Sequence, residues 1–482
     1  MGSISHLQPQ KVFQYFEEIC MIPHGSGNVK QISDYLVAFA KERNLGCVQD
    51  EALNVVIKKP ATKGYEDVPA VIIQGHMDMV AVKKPDCDID MKTEGLKPMT
   101  DGEFVWAEGT SLGGDDGIAV AYALAILDSD DIKHPALEVI ITTDEEVGMD
   151  GAIALDGTNI KGRRMLNIDS EVEGDLLVSC AGGMRVSCHL PVEREKRTGL
   201  IYRLTIDGLQ GGHSGVEIHK ERGNANCILG RILFELESVT DVQVISANGG
   251  LADNAIPRSA VLECMISEEF KENLVSTVIE LETALKQELL TKDKDVCVEI
   301  KSLGVGEAEV LDRASTLKMA YLLMGVPNGV CANSADIEGL VQTSLNLGVL
   351  KMQDEELLLQ FSVRSSLESE KKVLGQKLEA VTQLVGGYTV VSGEYPGWAY
   401  KDDSYLREHM KSVYAEMFGK DLSIVAIHAG LECGIFAGKL EGLDCVSFGP
   451  NLYDIHTTEE RMEIASVQRT WDFILKVLET MK

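Results

Sequence analysis

In residues 1–184, short apolar runs alternate with longer stretches whose apolar residues recur at helical spacing. The runs AVIIQG, LEVIITT and MLNID are typical of buried strands, and GIAVAYALAILDSDD, between the first two, is typical of a helix. Strands separated by helices predict an α/β fold with a mostly parallel sheet covered by helices. In such sheets ligands bind beyond the carboxyl ends of the strands.

The pattern changes near residue 185. The runs MRVSCHLPVE and LIYRLTID alternate apolar and polar residues, which is typical of half-buried antiparallel strands, and FKENLVSTVIELETALKQELL is helical. The first pattern returns in residues 393–482. The chain is therefore predicted to form a discontinuous α/β domain, residues 1–184 and 393–482, interrupted by an α+β domain of residues 185–392.

Composition narrows the class of protein. A chain of 482 residues is too long for one ordinary core, and 45% hydrophobic with 25% charged residues is normal for globular domains. The net charge of −31 repels polyphosphates, so neither nucleic acid nor an anionic membrane is an expected partner. The sequence has no apolar run of membrane-spanning length and no signal-peptide pattern, and its 11 scattered cysteines indicate reduced thiols. These features predict a cytoplasmic protein.

Acidic and imidazole side chains follow the predicted strands or open the helix between them. They are His76, Asp78, Asp115, Asp116, Asp144, Glu145, Glu146, Asp169 and His456. Each alone has an ordinary alternative as a helix cap, a solvated loop residue or a surface histidine. Together, two imidazoles and several carboxylates without a thiolate predict a hydrolytic zinc or manganese centre. Two adjacent glutamates can divide metal binding and proton transfer between them.

Seven motifs point to a known family: GHMDMV, GTSLGGDDGIAVA, TTDEEVGMDGA, NIDSE, GGHSG, RGNAN and HAGLECG. They resemble those of the di-zinc aminoacylase/carboxypeptidase-like metallopeptidases, and the similarity covers nearly the whole chain. The resemblance implies hydrolysis of dipeptides, Xaa-His among them, with two Zn²⁺ per chain that Mn²⁺ or Co²⁺ can replace. N-acyl amino acid deacylation, aminopeptidase action on short peptides, or a catalytically silent metal-binding protein are the alternatives.

The resemblance also implies a metal-ligand set. His76 and Asp169 would bind one zinc ion, Glu146 and His456 would bind the other, and Asp115 would bridge the two. A cis peptide bond would follow the bridging residue.

Further roles are implied by the same resemblance. Glu145 would be the general base and acid, and Asp78 would orient His76 by a hydrogen bond.

The domain of residues 185–392 would be a lid through which relatives form homodimers. Its His213 would polarise the scissile carbonyl and its Arg364 would bind the substrate carboxylate, while Asn254 would lie near the substrate. Gly430 and Glu432 would belong to a loop that faces the substrate terminus. A loop histidine and an exposed strand arginine are the alternatives for the first two.

Overall fold

The computed structural model describes residues 4–481, which form two compact units. The first unit contains the chain up to Cys180, Trp398–Ala426 and the chain from Leu431 onward. The second contains Ala181–Gly397 and the short segment Ile427–Gly430. That segment, which the sequence pattern places with residues 393–482, is tied to the second unit because the amide of Ala181 donates to the carbonyls of Ile427 and Ala429.

The described residues form eleven α-helices. They are α1 (Gln10–Cys20), α2 (Lys30–Glu42), α3 (Gly114–Leu127), α4 (Asp150–Ala154), α5 (Ala225–Val239), α6 (Lys271–Glu288), α7 (Arg313–Gly325), α8 (Glu368–Leu384), α9 (Tyr405–Phe418), α10 (Glu432–Lys439) and α11 (Ile464–Thr480). Three short 3₁₀ turns lie at Gly157–Asn159, Ile218–Lys220 and Glu268–Phe270.

The strands of residues 4–481 are mostly short in the first unit and long in the second. They are β1 (Gly46–Gln49), β2 (Val55–Lys59), β3 (Val71–His76), β4 (Pro98–Thr100), β5 (Phe104–Ala107), β6 (Leu137–Thr142), β7 (Arg164–Asn167), β8 (Asp175–Cys180), β9 (Gly182–Pro191), β10 (Arg194–Asp207), β11 (Gly212–His213), β12 (Gln243–Gly249), β13 (Ala255–Ile256), β14 (Ala260–Ile266), β15 (Cys297–Leu311), β16 (Gly329–Asn333), β17 (Val341–Met352), β18 (Glu356–Ser365), β19 (Tyr388–Tyr395), β20 (Ser423–Ile427), β21 (Asp444–Ser447), β22 (Leu452–Tyr453) and β23 (Arg461–Glu463).

The first unit is built on an eight-stranded sheet of order β1-β2-β6-β3-β7-β21-β8-β20. Its central strands β6, β3, β7 and β21 are parallel, as predicted, whereas β1, β2 and β8 run antiparallel to their neighbours. Every residue of β3 and β6 is buried, and α3 is buried along nearly its whole length. Because the central strands are parallel, their carboxyl ends share one edge of the sheet.

A four-stranded sheet of order β22-β23-β5-β4 also belongs to the first unit. The loop between β22 and β23 contains His456, whose backbone is left-handed with φ of 62°. A left-handed conformation is uncommon for a residue with a side chain and is often found at functional sites. The imidazole of His456 is therefore presented by this loop and not by a strand of the eight-stranded sheet.

The second unit is built on a nine-stranded antiparallel sheet, with the path β15-β10-β14-β12-β17-β18-β9-β19 and β16 paired to β17. Its apolar side chains form one core with residues of α5–α8, in which Val186, Leu204, Leu347 and Phe361 are wholly buried. A two-stranded ribbon, β11 with β13, carries His213. This is the α+β pattern that the period-two alternation predicts.

Within residues 4–481, no helix combines the length and apolarity needed to cross a membrane.

Candidate functional site

The strand-end residues of the first unit converge around the carboxylate of Asp115. Its Oδ1 lies 3.2 Å from Nε2 of His76, and its Oδ2 lies 3.1 Å from Nε2 of His456. The same nitrogen of His76 lies 3.8 Å from Oδ1 of Asp169, and that of His456 lies 3.0 Å from Oε1 of Glu146. Each oxygen of Asp115 therefore faces a different imidazole, the arrangement that a bridging carboxylate requires.

A hydrogen bond of the ring nitrogen Nδ1 sets the orientation of the His76 ring. Nδ1 lies 3.0 Å from the main-chain carbonyl oxygen of Asp78, which can only accept a hydrogen bond. Nδ1 therefore carries a hydrogen, and in the neutral ring the lone pair belongs to Nε2, on the side of Asp115 and Asp169. A buried imidazole held in this tautomer is a typical metal ligand.

The side chain of Asp78 holds the loop that follows β6. Its carboxylate accepts the amide hydrogens of Glu145 at 3.1 Å and Glu146 at 3.4 Å and the hydroxyl of Ser26 at 2.8 Å. Its Oδ1 lies 3.4 Å from Nδ1 of His76, whereas the main-chain carbonyl oxygen of Asp78 lies 3.0 Å from the same nitrogen. Asp78 therefore contacts His76 chiefly through its main chain and positions the two glutamates through its side chain.

Asp115 lies where the glycine-rich loop enters α3. Gly113 adopts the left-handed conformation with φ of 69°, and the peptide bond between Asp115 and Asp116 is cis, as the family resemblance implied. Asp116 is 1% exposed, and its Oδ2 accepts the amide hydrogen of His76 at 3.1 Å. Asp116 thereby connects the start of α3 to the end of β3.

Glu460 holds the same loop from the other side. One oxygen of its buried carboxylate accepts the amide hydrogens of Leu112 and Gly113 at 2.7 and 3.0 Å. The other accepts those of Gly114 and Asp115 at 2.8 and 3.4 Å. Sequence reasoning missed this residue, because a glutamate four positions after His456 looks like ordinary loop polarity.

Negative charge is concentrated at this edge. Burial and the carboxylates of Glu146 and Asp115 raise the pKa of Glu145 to about 7, although His76 opposes the shift. Burial, with Asp115 and Glu145, holds the pKa of Asp169 well above its usual value. Hydrogen bonding to Asp115 and Glu146 raises the pKa of His456 to about 10. All three shifts describe a site that retains protons to offset excess negative charge, which divalent cations would offset instead.

The donor set fits such cations. Two groups of side chains have ligand atoms within 4.8 Å of one another: His76 with Asp115 and Glu146, and His76 with Asp116 and Asp169. Oδ2 of Asp169 is buried without a hydrogen-bond partner among the described residues, and Oε1 of Glu146 lies beside the imidazole of His456. Carboxylate oxygens next to imidazole nitrogens match the ligand preference of zinc and related ions.

Behind this edge lies a buried polar network. The carboxylate of Glu432 is wholly buried and accepts hydrogen bonds from Gln74 Nε2 at 2.5 Å and Thr142 Oγ1 at 2.7 Å. Asn167 Nδ2 donates to Gln74 Oε1 at 2.6 Å, so the network joins β3, β6 and β7. Burial and Glu145 raise the pKa of Glu432 to about 8. The Glu432 side chain thus packs against the sheet, and the expectation that its loop faces the substrate terminus stays a prediction.

The second unit contains the remaining predicted residues. Nδ1 of His213 accepts the amide hydrogens of Gly215 at 3.1 Å and Val216 at 3.2 Å, so the ring hydrogen of the neutral form is on Nε2. Burial and the positive charge of Arg364 lower the pKa of His213 and favour this neutral form. Nε2 is then a hydrogen-bond donor.

Asn254 adjoins this histidine in the ribbon. Its carbonyl oxygen accepts the amide hydrogen of Ser214 at 2.8 Å, and its side chain is exposed.

Arg364 lies near the end of β18 and is 8% exposed, so it is not an exposed strand arginine. Gly430 ends the segment Ile427–Gly430 that joins the second unit.

A cavity of about 860 Å³ adjoins the ligand cluster within the first unit. Its lining includes Glu146 and the apolar side chains of Met79, Ile89, Met91 and Val147. Cavities of several hundred Å³ hold small-molecule substrates. Glu146 thereby connects this cavity to the ligand cluster.

We expect Glu460→Gln to destabilise the Asp115 loop. A carboxamide replaces one acceptor oxygen with an NH₂ group that faces amide donors, and an unsatisfied buried group costs about 1–3 kcal/mol. Denaturant unfolding should show this loss, and titration of the native variant with Zn²⁺ should show weaker binding. Glu459→Gln is the control, because the Glu459 side chain is 66% exposed, and it should leave both quantities nearly unchanged. Equal unfolding curves for the two variants would contradict the capping role.

We expect metal binding to release protons. Since hydrogen bonding raises the pKa of His456 to about 10, this ring is protonated at neutral pH and must lose its proton to coordinate an ion. Apparent Zn²⁺ affinity should therefore rise between about pH 6 and pH 8. Calorimetric titrations in two buffers of different ionisation enthalpy measure the protons released. His456→Asn should release fewer, and a proton count of zero for the unsubstituted protein would refute the assignment.

Comparison with known proteins places this geometry in a family. The model of peptidase family M20/M25/M40 matches residues 72–480. The chain is 37% identical over 481 residues to the cytosol non-specific dipeptidase of Escherichia coli K12, covering 99% of each protein.

Solved structures agree with this relationship. The aminoacylhistidine dipeptidase of Vibrio alginolyticus superposes with a TM-score of 0.95 at 37% identity, with 99% of this chain and 98% of that one covered. The aminopeptidase PepT of Bacillus cereus superposes with a TM-score of 0.56 at 16% identity, with 98% of each chain covered, and this likeness concerns the fold alone. The family match over most of the chain and the two relatives at 37% identity show that the protein belongs to peptidase family M20/M25/M40.

Proposed function

We propose that the protein is a two-metal dipeptidase that hydrolyses the peptide bond of free dipeptides. The observation that carries this proposal is the position of Asp115, whose two oxygens face two imidazoles beside the loop of Glu145. The relatives from Escherichia coli and Vibrio alginolyticus, which carry dipeptidase names, support the substrate class.

The ligand assignment follows the distances. His76 and Asp169 would hold one ion, Glu146 and His456 the other, and Asp115 both. Bound divalent ions supply a water of lowered pKa and polarise the carbonyl group. The His and carboxylate ligand set supports zinc as the native ion, with manganese or cobalt as substitutes.

Glu145 is the proposed proton carrier. Its carboxylate lies next to the ligand cluster, and its amide is fixed by Asp78. In this position it takes a proton from the attacking water and returns it to the nitrogen of the leaving amine. Glu146, the next residue, is turned toward His456 and is not free for this step.

The second unit would supply the substrate-binding groups. The Nε2 hydrogen of His213 would be donated to the carbonyl oxygen as negative charge develops on it. The guanidinium of Arg364 would bind the C-terminal carboxylate of the substrate, and Asn254 and Gly430 would lie beside the same end. A carboxylate required one residue beyond the scissile bond restricts the enzyme to dipeptides.

The second unit would act as the lid through which two chains form a homodimer, and the enzyme would be cytoplasmic like the Escherichia coli relative. A panel containing a Xaa-His dipeptide, a tripeptide and an N-acetyl amino acid, assayed on metal-reconstituted protein with a chelator control, tests the substrate class. Preferential hydrolysis of the acetylated amino acid or the tripeptide would replace the dipeptidase with a deacylase or an aminopeptidase.

We expect Glu145→Gln to lose at least about a thousandfold in kcat while retaining both ions, because the amide cannot accept the proton. Steady-state assays and metal analysis of the same preparation measure the two effects. Asp150→Asn, an exposed acidic residue of α4, is the matched control and should keep its activity. Near-normal turnover by the metal-loaded Gln variant would remove Glu145 from the mechanism.

We expect Arg364→Lys to raise KM for free dipeptides by roughly tenfold to a hundredfold, because an ammonium cannot reproduce the two-point guanidinium–carboxylate contact. Metal content should not change. Arg203→Lys, on β10 of the same sheet with its side chain 45% exposed, controls for the substitution itself. An unchanged KM for the Arg364 variant would exclude this residue from the substrate site.

A further inference from the structure

Four residues form a row across neighbouring strands of the second unit. Ser344 of β17 pairs with Arg364 of β18, Arg364 pairs with Gly183 of β9, and Gly183 pairs with Tyr395 of β19. Paired residues of adjacent antiparallel strands project from the same face of a sheet. The side chains of Tyr395 and Arg364 therefore lie on one face, separated only by a glycine.

The glycine allows these two side chains to meet. A Cβ atom at Gly183 would lie 2.5 Å from both the hydroxyl oxygen and Cζ of Tyr395, so the ring end occupies the space of the missing side chain. The hydroxyl oxygen thereby comes within 3.2 Å of Nη1 of Arg364 and accepts its hydrogen bond. Any larger residue at position 183 would displace the ring from the guanidinium.

Tyr395 is held in this position by its backbone. The register of β19 against β9 shifts between Ser392 and Tyr395, and such a bulge changes the direction in which the following side chain points. The carbonyl oxygen of Tyr395 accepts a hydrogen bond at 2.8 Å from Nζ of Lys371, a lysine only 1% exposed. A buried lysine that donates to this carbonyl fixes the strand end that carries the phenol.

A hydrogen bond also fixes the residues beside Arg364 at the Ser344 end of the row. Nε2 of His428 is hydrogen-bonded to Oγ of Ser344 at 2.7 Å. Burial and the positive charge of Arg364 lower the pKa of His428 to about 3, so this ring is neutral and adds no second charge. His428, the first residue of the HAGLECG motif, supports the row beside Arg364.

The guanidinium itself lacks a counter-ion. Nε of Arg364 is buried without a hydrogen-bond partner, and no carboxylate within residues 4–481 forms an ion pair with this side chain. A buried cation without a partner is costly, and an anionic ligand would satisfy it. The hydroxyl hydrogen of Tyr395 is likewise without an acceptor in the described chain.

We propose that Tyr395, placed over Gly183, is a positioning residue for Arg364 and a second hydrogen-bond donor to the C-terminal carboxylate of the substrate. The proposal rests on the dipeptidase function and on the role of Arg364 stated above. The phenol oxygen accepts from Nη1 of Arg364, so its single hydrogen is directed to the ligand. It fixes both the plane of the guanidinium and the place of the carboxylate.

This arrangement selects a free carboxylate over a carboxamide. A carboxylate offers two acceptor oxygens to the donors of Arg364 and Tyr395, whereas a C-terminal amide offers one acceptor oxygen and an NH₂ group that only donates. Removing the phenol hydroxyl should therefore weaken binding of the free acid and leave that of the amide unchanged.

The test is Tyr395→Phe, which retains the ring and loses the hydroxyl. Hydrogen bonds to charged groups contribute enough that KM for a free dipeptide should rise roughly tenfold or more, with kcat changed less than about twofold. KM for the corresponding dipeptide amide should stay the same. Tyr388→Phe is the matched control: it lies on the same strand, is 49% exposed and stacks on His189, and should change neither constant.

Gly183→Ala is a second variant with the same expected effect, because a methyl group there displaces the phenol while leaving its hydroxyl in the chain. A melting temperature close to that of the unsubstituted protein shows that the fold is retained. Equal rises in KM for acid and amide in Tyr395→Phe, or no rise for either, would overturn the proposal. A fall in kcat with KM unchanged would do so as well.

Binding measured without turnover separates this inference from the proposed function. Calorimetric titration of metal-loaded Glu145→Gln protein with glycyl-leucine and with its C-terminal amide, with and without Tyr395→Phe, reports the carboxylate contact directly. A loss of affinity for the acid alone supports the role of Tyr395 whatever reaction the enzyme catalyses. Failure of the unsubstituted enzyme to hydrolyse any dipeptide would instead contradict the proposed function, and equal affinities of both proteins for the acid would contradict the inference.

Discussion

The carboxylate of Asp115 lies between two imidazoles. Its position depends on a second carboxylate, that of Glu460, which is not one of the proposed ligands. Glu460 receives four consecutive amide hydrogens, from Leu112 to Asp115, and so fixes the loop at the start of α3. Four convergent amide donors are a strong site for a buried negative charge. Without this interaction the loop that presents Asp115 would have four amide groups with no buried acceptor.

The same principle is repeated around the centre. The carboxylates of Asp78 and Asp116 also accept main-chain amide hydrogens, from the Glu145–Glu146 loop and from His76 respectively. Each of these acidic residues thereby positions a residue that belongs to the cluster or adjoins it. Part of the acidic content of the site therefore holds its loops, while the carboxylates of Asp115 and Glu146 face the imidazoles.

The second unit prepares hydrogen-bond donors in a comparable way. Amide hydrogens fix the neutral tautomer of His213, and the row from Ser344 to Tyr395 surrounds Arg364 with neutral partners. Keeping those neighbours neutral leaves the charge of the guanidinium without a counter-ion among the described residues. Preorganised donors of this kind lose little conformational freedom on binding, which favours affinity and selectivity for a carboxylate.

The sequence by itself determined the buried strands and the helix next to the site, the parallel centre of the first sheet and the residues at its carboxyl edge. These features are local, because periodicity and strand ends are written in contiguous residues such as those from Val71 to Asp78. Only the tertiary structure decided which acidic residues hold loops or strands, as Glu460 and Glu432 do, and which face the imidazoles. It alone placed Tyr395 over Gly183 and joined Ile427–Gly430 to the second unit. Such contacts join residues far apart in the chain, and they arise from strand register, a bulge and the absence of a side chain at Gly183. A short-range sequence pattern therefore cannot predict them.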